Sequence, residues 1–156
     1  MMGPAFSPRQ AFRVLRLIYL SMNTGLILFF FVVVNLNGWS IPGFRDEVDM
    51  LTFVNVLLLV CIPLGYYLSN RRMATIEAGS PFARKWEVYQ TAMIIRWAMI
   101  EAVSLFSLVG LMLLDDAKHL VLFILCILVF SLNSVTKDRV IAGAKLNRDE
   151  ARALDL

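Results

Sequence analysis

Apolar residues gather into four blocks along the chain, at residues 14–36, 50–68, 91–114 and 119–135, with polar residues collected between them. A helix crosses the hydrocarbon of a bilayer with about 20 apolar residues, each rising about 1.5 Å. The pattern therefore predicts an all-α fold, a four-transmembrane-helix bundle forming a single integral membrane domain, with a polar tail at residues 136–156. Residues 1–6 are expected to fray. Local signals place the helix ends. Ser7-Pro8 reads as an N-cap followed by proline at the first helical position, so the first helix should run from Pro8 to about Leu36. Its apolar run, Leu17 to Val34, is too long for a signal peptide and has no A-x-A cleavage pattern after it, so it is expected to be a retained span. Asn37-Gly38 and Pro42-Gly43 break the chain into a loop up to Asp49. Pro63, inside the second block, removes the donor for the carbonyl of Leu59 and predicts a kink between the two. Ser80-Pro81 repeats the first cap and starts a third helix well before its apolar block. The turn from Asp115 to Lys118 is so short that the third and fourth spans must be antiparallel neighbours. In the tail, Asn147 and Glu150 have capping-box spacing and predict a short surface helix from Arg148 to Leu154.

Charge adds orientation. Arg9, Arg13 and Arg16 precede the first block, Arg71, Arg72, Arg84 and Lys85 lie between the second and third, and the tail is basic. The loops after the first and third blocks are poor in Lys and Arg. The positive-inside rule then predicts an N-in/C-in protein, two antiparallel hairpins running out, in, out and in, multi-pass in a bacterial inner (cytoplasmic) membrane. Aligning Asn23 and Thr24 with Ile100 and Glu101, and Cys61 with Cys126, suggests a parallel internal repeat of the two hairpins.

Composition agrees with this picture. The 156 residues are 59% hydrophobic and carry a net charge of +3, with a mean hydropathy of +0.71. That leaves no room for a separate soluble domain, and the basic loops are too sparse for nucleic acid. Cys61 and Cys126 lie inside apolar blocks and read as inert thiols.

The third block carries the unusual chemistry. Glu101 lies about 15 Å from its start, close to the midplane, where an ionised carboxylate costs several kcal/mol. Arg96 lies near the cytoplasmic edge and can snorkel to the headgroups. Arg96 and Glu101 are about 140° apart around the helix and so do not face each other. Glu101 must look elsewhere, and Asn23 and Thr24 of the first span lie at similar depth, with Ser104 one turn away. Hydrogen-bonded to such partners, Glu101 is structural glue; alternating between protonated and ionised states, it is a proton or cation site.

The stretch from Ala98 to Val109, AMIEAVSLFSLV, resembles the carboxylate-bearing helix of the proteolipid (c) subunit of rotary ATP synthases, which likewise leaves a basic cytoplasmic loop. The resemblance implies an ion-binding role for Glu101. It is confined to that stretch, and the second span carries one glycine and a proline where that family has a stripe of glycines.

His119, the single histidine, stands at the start of the fourth block, at a water interface, without the companions a metal site needs. No metal-protease, phosphate-loop or cysteine–histidine motif occurs, so neither cofactor nor catalysis is expected. The expected partners are the lipid bilayer and either further copies of the chain or a larger membrane complex. Three readings follow: a non-enzymatic membrane subunit or scaffold, an oligomeric proton or cation carrier using Glu101, and a small-solute transporter.

Overall fold

The computed structural model describes residues 7–47 and 49–154; residues 1–6 and the last two of the tail lie outside it. Among the described residues the fold is all-helical: α1 (Pro8–Leu36), α2 (Met50–Leu58), α3 (Cys61–Ala74), α4 (Phe82–Leu114), α5 (Ala117–Leu132), α6 (Lys137–Gly143) and α7 (Arg148–Arg152). Three units are long and apolar enough to cross a membrane: α1, the near-continuous α2–α3, and α4. At 16 residues α5 spans only about 24 Å, short of the hydrocarbon thickness. It reaches a fourth crossing only together with α6, from which it is bent by 76°.

The helix starts fall where the prolines place them, without the serine caps. Pro8 occupies the first turn of α1 but Ser7 makes no capping bond, and Pro81, expected at the first helical position, is itself the residue before α4, which begins at Phe82. Asn147 and Glu150 close a reciprocal capping box on α7. The second span breaks at Leu59 and Val60, four residues before Pro63, where the missing donor removes a rung of the helix. α4 ends on Asp115 in the left-handed region (φ 48°), a conformation a short polar side chain tolerates. Asp116 then caps α5 by accepting from the Lys118 N–H at 3.0 Å.

α4 is the axle. Its most apolar stretch is 44% buried, against 17% for α1 and for α2–α3, because the other helices surround it. Tyr19 lies against Trp97, with ring centroids 5.4 Å apart, and Asn37 of the α1 end donates to the Leu111 carbonyl, so α1 runs parallel to α4. Gly65 of α3 meets Met99, and Asn55 of α2 meets Ser107, so α2–α3 runs the opposite way. At Gly65 a Cβ would stand 2.9 Å from Met99 Cβ, so glycine sets that close approach. Trp97 bonds to Asn133 and Gly110 touches His119, so α5 also runs antiparallel to α4. α1 and α2, although consecutive, are not close-packed neighbours: α1 meets α4, and its aromatic side chains reach α5 through Phe130 and Phe123.

Leu17, Leu28 and Phe31 on α1, Phe53 and Leu57 on α2, and Leu125 and Leu128 on α5 are all exposed. An apolar exterior around a packed interior suits a lipid solvent.

The tail is not a loose surface segment. Val140, Ala144 and Leu154 are buried, Lys145 donates to the Ile76 carbonyl at 2.7 Å, and Lys85, 1% exposed, pairs with both carboxylate oxygens of Glu150 at 2.9 and 3.1 Å. The helix α6 and this docking were not legible in the polar, charged sequence of residues 136–156.

Candidate functional site

α4 carries polar side chains at three levels, and the structure treats them differently. At the first level Arg96 reaches across to α3. Its Nε and Nη2 donate to Ser69 Oγ at 2.8 and 2.7 Å, and Nη2 also donates to Asn70 Oδ1 at 2.8 Å. Nη1 reaches Asn133 Oδ1 beyond α5 at 3.4 Å, and the guanidinium lies 4.5 Å from the centre of the Tyr66 ring. Such a cation–π contact adds about 0.5–2 kcal/mol depending on desolvation. Asn133 ties the three helices together: its amide donates to the Tyr66 hydroxyl and to the Val129 carbonyl, and its own carbonyl accepts from Trp97 Nε1 at 3.1 Å. Arg96 therefore does not simply snorkel; it is held half-buried by neutral oxygens. A cleft of about 420 Å³ opens beside it, lined by Tyr66, Asn70, Tyr89, Asn133 and Arg139 among others.

At the middle level stands Glu101. It is partly exposed beside the outward-facing Ala98, Ala102 and Leu105, and among the described residues it takes part in no hydrogen bond or ion pair. Asn23 and Thr24 do share its depth, because each of Asn23 and Glu101 lies four residues past the Tyr19–Trp97 contact. Asn23 continues the row of Tyr19 and Phe30, which faces the seam between α4 and α5, no hydrogen bond joins it to Glu101, and Thr24 is exposed. Ser104 is buried and turned into its own helix, donating to the Ile100 carbonyl at 2.8 Å. Asn23, Thr24 and Glu101 thus share a depth without a hydrogen bond between them, and Arg96 belongs to a different level.

The third level is a network that sequence reasoning missed. The Asp49 carboxylate caps α2, accepting from the Thr52 N–H at 2.8 Å and from the Thr52 hydroxyl at 2.9 Å. Thr52 Oγ1 lies 3.4 Å from His119 Nε2, and His119 Nδ1 lies 3.0 Å from the Asn55 amide nitrogen. Asn55 Oδ1 in turn accepts from Ser107 Oγ at 3.1 Å. Because the Thr52 proton is given to Asp49 and the Asn55 amide can only donate, the partners assign a neutral imidazole protonated at Nε2. His119, Asn55, Ser107 and Thr52 are all buried, so His119 lies inside the bundle rather than at a water interface. It fits because position 110 is glycine: a Cβ there would stand 2.4 Å from His119 Nδ1. The signal was present in the depth of three residues on antiparallel spans: Asn55, Ser107 and His119 lie at comparable distances from the loops at that end.

The loops fasten this end. Asn37 Nδ2 donates to the Leu111 carbonyl, which also accepts from the Asp115 N–H, and to Asp115 Oδ1, each at 3.1 Å, tying the end of α1 to the last turn of α4. Ala117 N–H donates to the Gly43 carbonyl at 3.0 Å. Lys118 Nζ lies 3.1 Å from Asp116 Oδ2, a charge pair whose direction falls outside hydrogen-bond geometry. Burial pushes the Asp116 carboxyl up, but the Lys118 N–H and ammonium together outweigh it and hold the group below its ordinary value. The Thr52 N–H does the same for Asp49.

Between the first and third levels, about 16 Å along α4, lies a dry layer of Trp97, Ile100, Val103, Cys126 and Phe130, each without solvent exposure. Among the described residues no group of three or more His, Cys, Asp or Glu side chains could hold a metal ion. Compared with family models, with characterised proteins and with solved structures, the chain matches none.

Proposed function

We propose that this chain is a non-enzymatic membrane subunit or scaffold, built to present a rigid four-span unit in a bacterial inner membrane with both termini in the cytoplasm. The observation that carries this reading is the dry layer. It separates the Arg96 level from the His119 level, and the polar groups on either side of it are committed to fixed partners across helices. A carrier needs a polar group that both sides reach in turn, and side chains locked in this way favour a static role. The Lys and Arg distribution supports the N-in/C-in orientation. The shared direction of α1 and α4, opposite to that of α2–α3 and α5, supports an up-and-down course of the four units, with only the pair α4 and α5 packed as a close hairpin.

Ion carriage through an oligomer remains the second reading. It rests on Glu101, a mid-depth acid at the edge of the exposed stripe of α4 with no partner among the described residues. In an assembly, the same acid would receive its partner from a neighbouring chain, which suits a subunit equally well. The test is flux into liposomes holding the purified protein and a pH-sensitive dye. The subunit reading expects proton and sodium fluxes equal to those of protein-free vesicles, unchanged by Glu101→Gln. A flux abolished by that substitution transfers the assignment to the carrier.

A further inference from the structure

We propose that the cleft beside Arg96 is a binding site for a phosphate group. Arg96 and Arg139 line the same cleft of about 420 Å³, and no carboxylate lines it with them. The acceptors of Arg96 are all neutral: Ser69 Oγ, Asn70 Oδ1 and Asn133 Oδ1. Arg139 donates to the main-chain carbonyls of Leu132 and Ser134. Ion pairs elsewhere among the described residues include Lys85 with Glu150, Lys118 with Asp116 and Arg152 with Asp149, whereas neither of these two guanidiniums is in an ion pair with a described carboxylate.

Two like charges facing one concavity repel each other, and an anion between them relieves that repulsion. Arg96, with four of its five N–H groups already donated, supplies mainly fixed charge, while Arg139, bonded only through Nη1, keeps donors that can fork onto phosphate oxygens. Asn70, the Tyr66 and Tyr89 hydroxyls and Asn133 add neutral polar groups around the same space. Arg96 is braced by α3, α5 and the Tyr66 ring, so little ordering is left to be done when the anion arrives. The cleft stands at the end of the apolar block, at headgroup depth under the proposed orientation, so the phosphate can belong to an anionic lipid or be free in solution. This site does not depend on the scaffold reading, since a carrier with the same cleft would bind the same group.

The experiment titrates the full-length protein in a neutral detergent and follows its thermal unfolding at constant ionic strength. One arm adds inorganic phosphate; the other adds short-chain phosphatidylglycerol, with diacylglycerol as the phosphate-free control. Arg139 is exposed and bonded only to nearby carbonyls, so Arg139→Gln should unfold at the same temperature as the parent before ligand is added. The expected result is a saturable rise in unfolding temperature for the parent and at least ten-fold weaker binding for Arg139→Gln. A rise with phosphatidylglycerol alone assigns the site to a lipid headgroup, and a rise with inorganic phosphate as well assigns it to a soluble phosphate. No saturable rise with either, or equal binding by Arg139→Gln, overturns the proposal.

Discussion

Replacing Gly110 with alanine tests the third polar level directly. The added Cβ would stand 2.4 Å from His119 Nδ1 and 2.5 Å from Cε1, whereas relaxed non-bonded contacts lie at about 3.5 Å or more. The ring must retreat by about 1 Å in a region where it has no free space. Overpacking of this kind costs about 1–3 kcal/mol. Retreat also stretches the 3.0 Å contact between His119 and Asn55, and a buried polar group left unpaired costs about 1–3 kcal/mol more. Against these stands the better helix propensity of alanine, about 1 kcal/mol. The net expectation for Gly110→Ala is a loss of about 1–5 kcal/mol, read from reversible unfolding in mixed micelles followed by circular dichroism. The sign should reverse when the ring is absent. In a His119→Ala background the three atoms nearest the added Cβ are gone, and the propensity gain of about 1 kcal/mol should dominate. An equal cost in both backgrounds, or none in the parent, would refute the packing argument.

Other expectations follow from the same contacts. Asn55→Leu should cost about 2–3 kcal/mol, because it strands His119 Nδ1; Ser107→Ala should cost only about 1 kcal/mol, since the one hydroxyl proton is shared between Asn55 Oδ1 and the Val103 carbonyl and Asn55 receives only part of it. The opposite order in the same unfolding assay would count against the network. Lys85→Met should speed limited proteolysis in the segment from α6 to α7, and an unchanged rate would mean that the apolar contacts of Val140, Ala144 and Leu154 hold the tail alone. Asp49 and Asp116 titrate in the folded chain below their ordinary value of 3.8, so acid protonates the unfolded form first. Their contribution is complete above that value and disappears as the pH falls through the lower folded values. Asp49→Asn and Asp116→Asn should each flatten the acid limb of the stability profile, and identical limbs would reject these two caps as its origin.

Local cues in the sequence carried much of the fold. Proline placement gave the starts of α1 and α4, Pro63 marked the break before α3, and the Asn147–Glu150 spacing marked α7, because each acts within one turn of chain. Apolar length gave α1, α2–α3 and α4 as spans because the requirement is set by contiguous residues of one segment, whereas α5 falls short and needs the bent α6 to reach further. The candidate site was less legible. Asn23 and Glu101 each lie four residues past the Tyr19–Trp97 contact, yet depth alone does not make a bond, and no hydrogen bond joins the two. The partners of Arg96 come from two other helices, and no spacing along α4 reveals them. His119 read as interfacial because its neighbour in the chain is Lys118; its burial depends on a glycine nine residues earlier and on an asparagine from another span.

The ion pair between Lys85 and Glu150 bears on the order in which the molecule can be assembled. The two residues are 65 positions apart, so the ammonium emerges from the ribosome long before the carboxylate that accompanies it out of water. Until then the opening turns of α4 must stay hydrated, however early the apolar part of that helix enters the bilayer. Helix formation by α4 and closure of its basic end are thus separate events, because the carboxylate that seals that end is made 65 residues after the ammonium it covers.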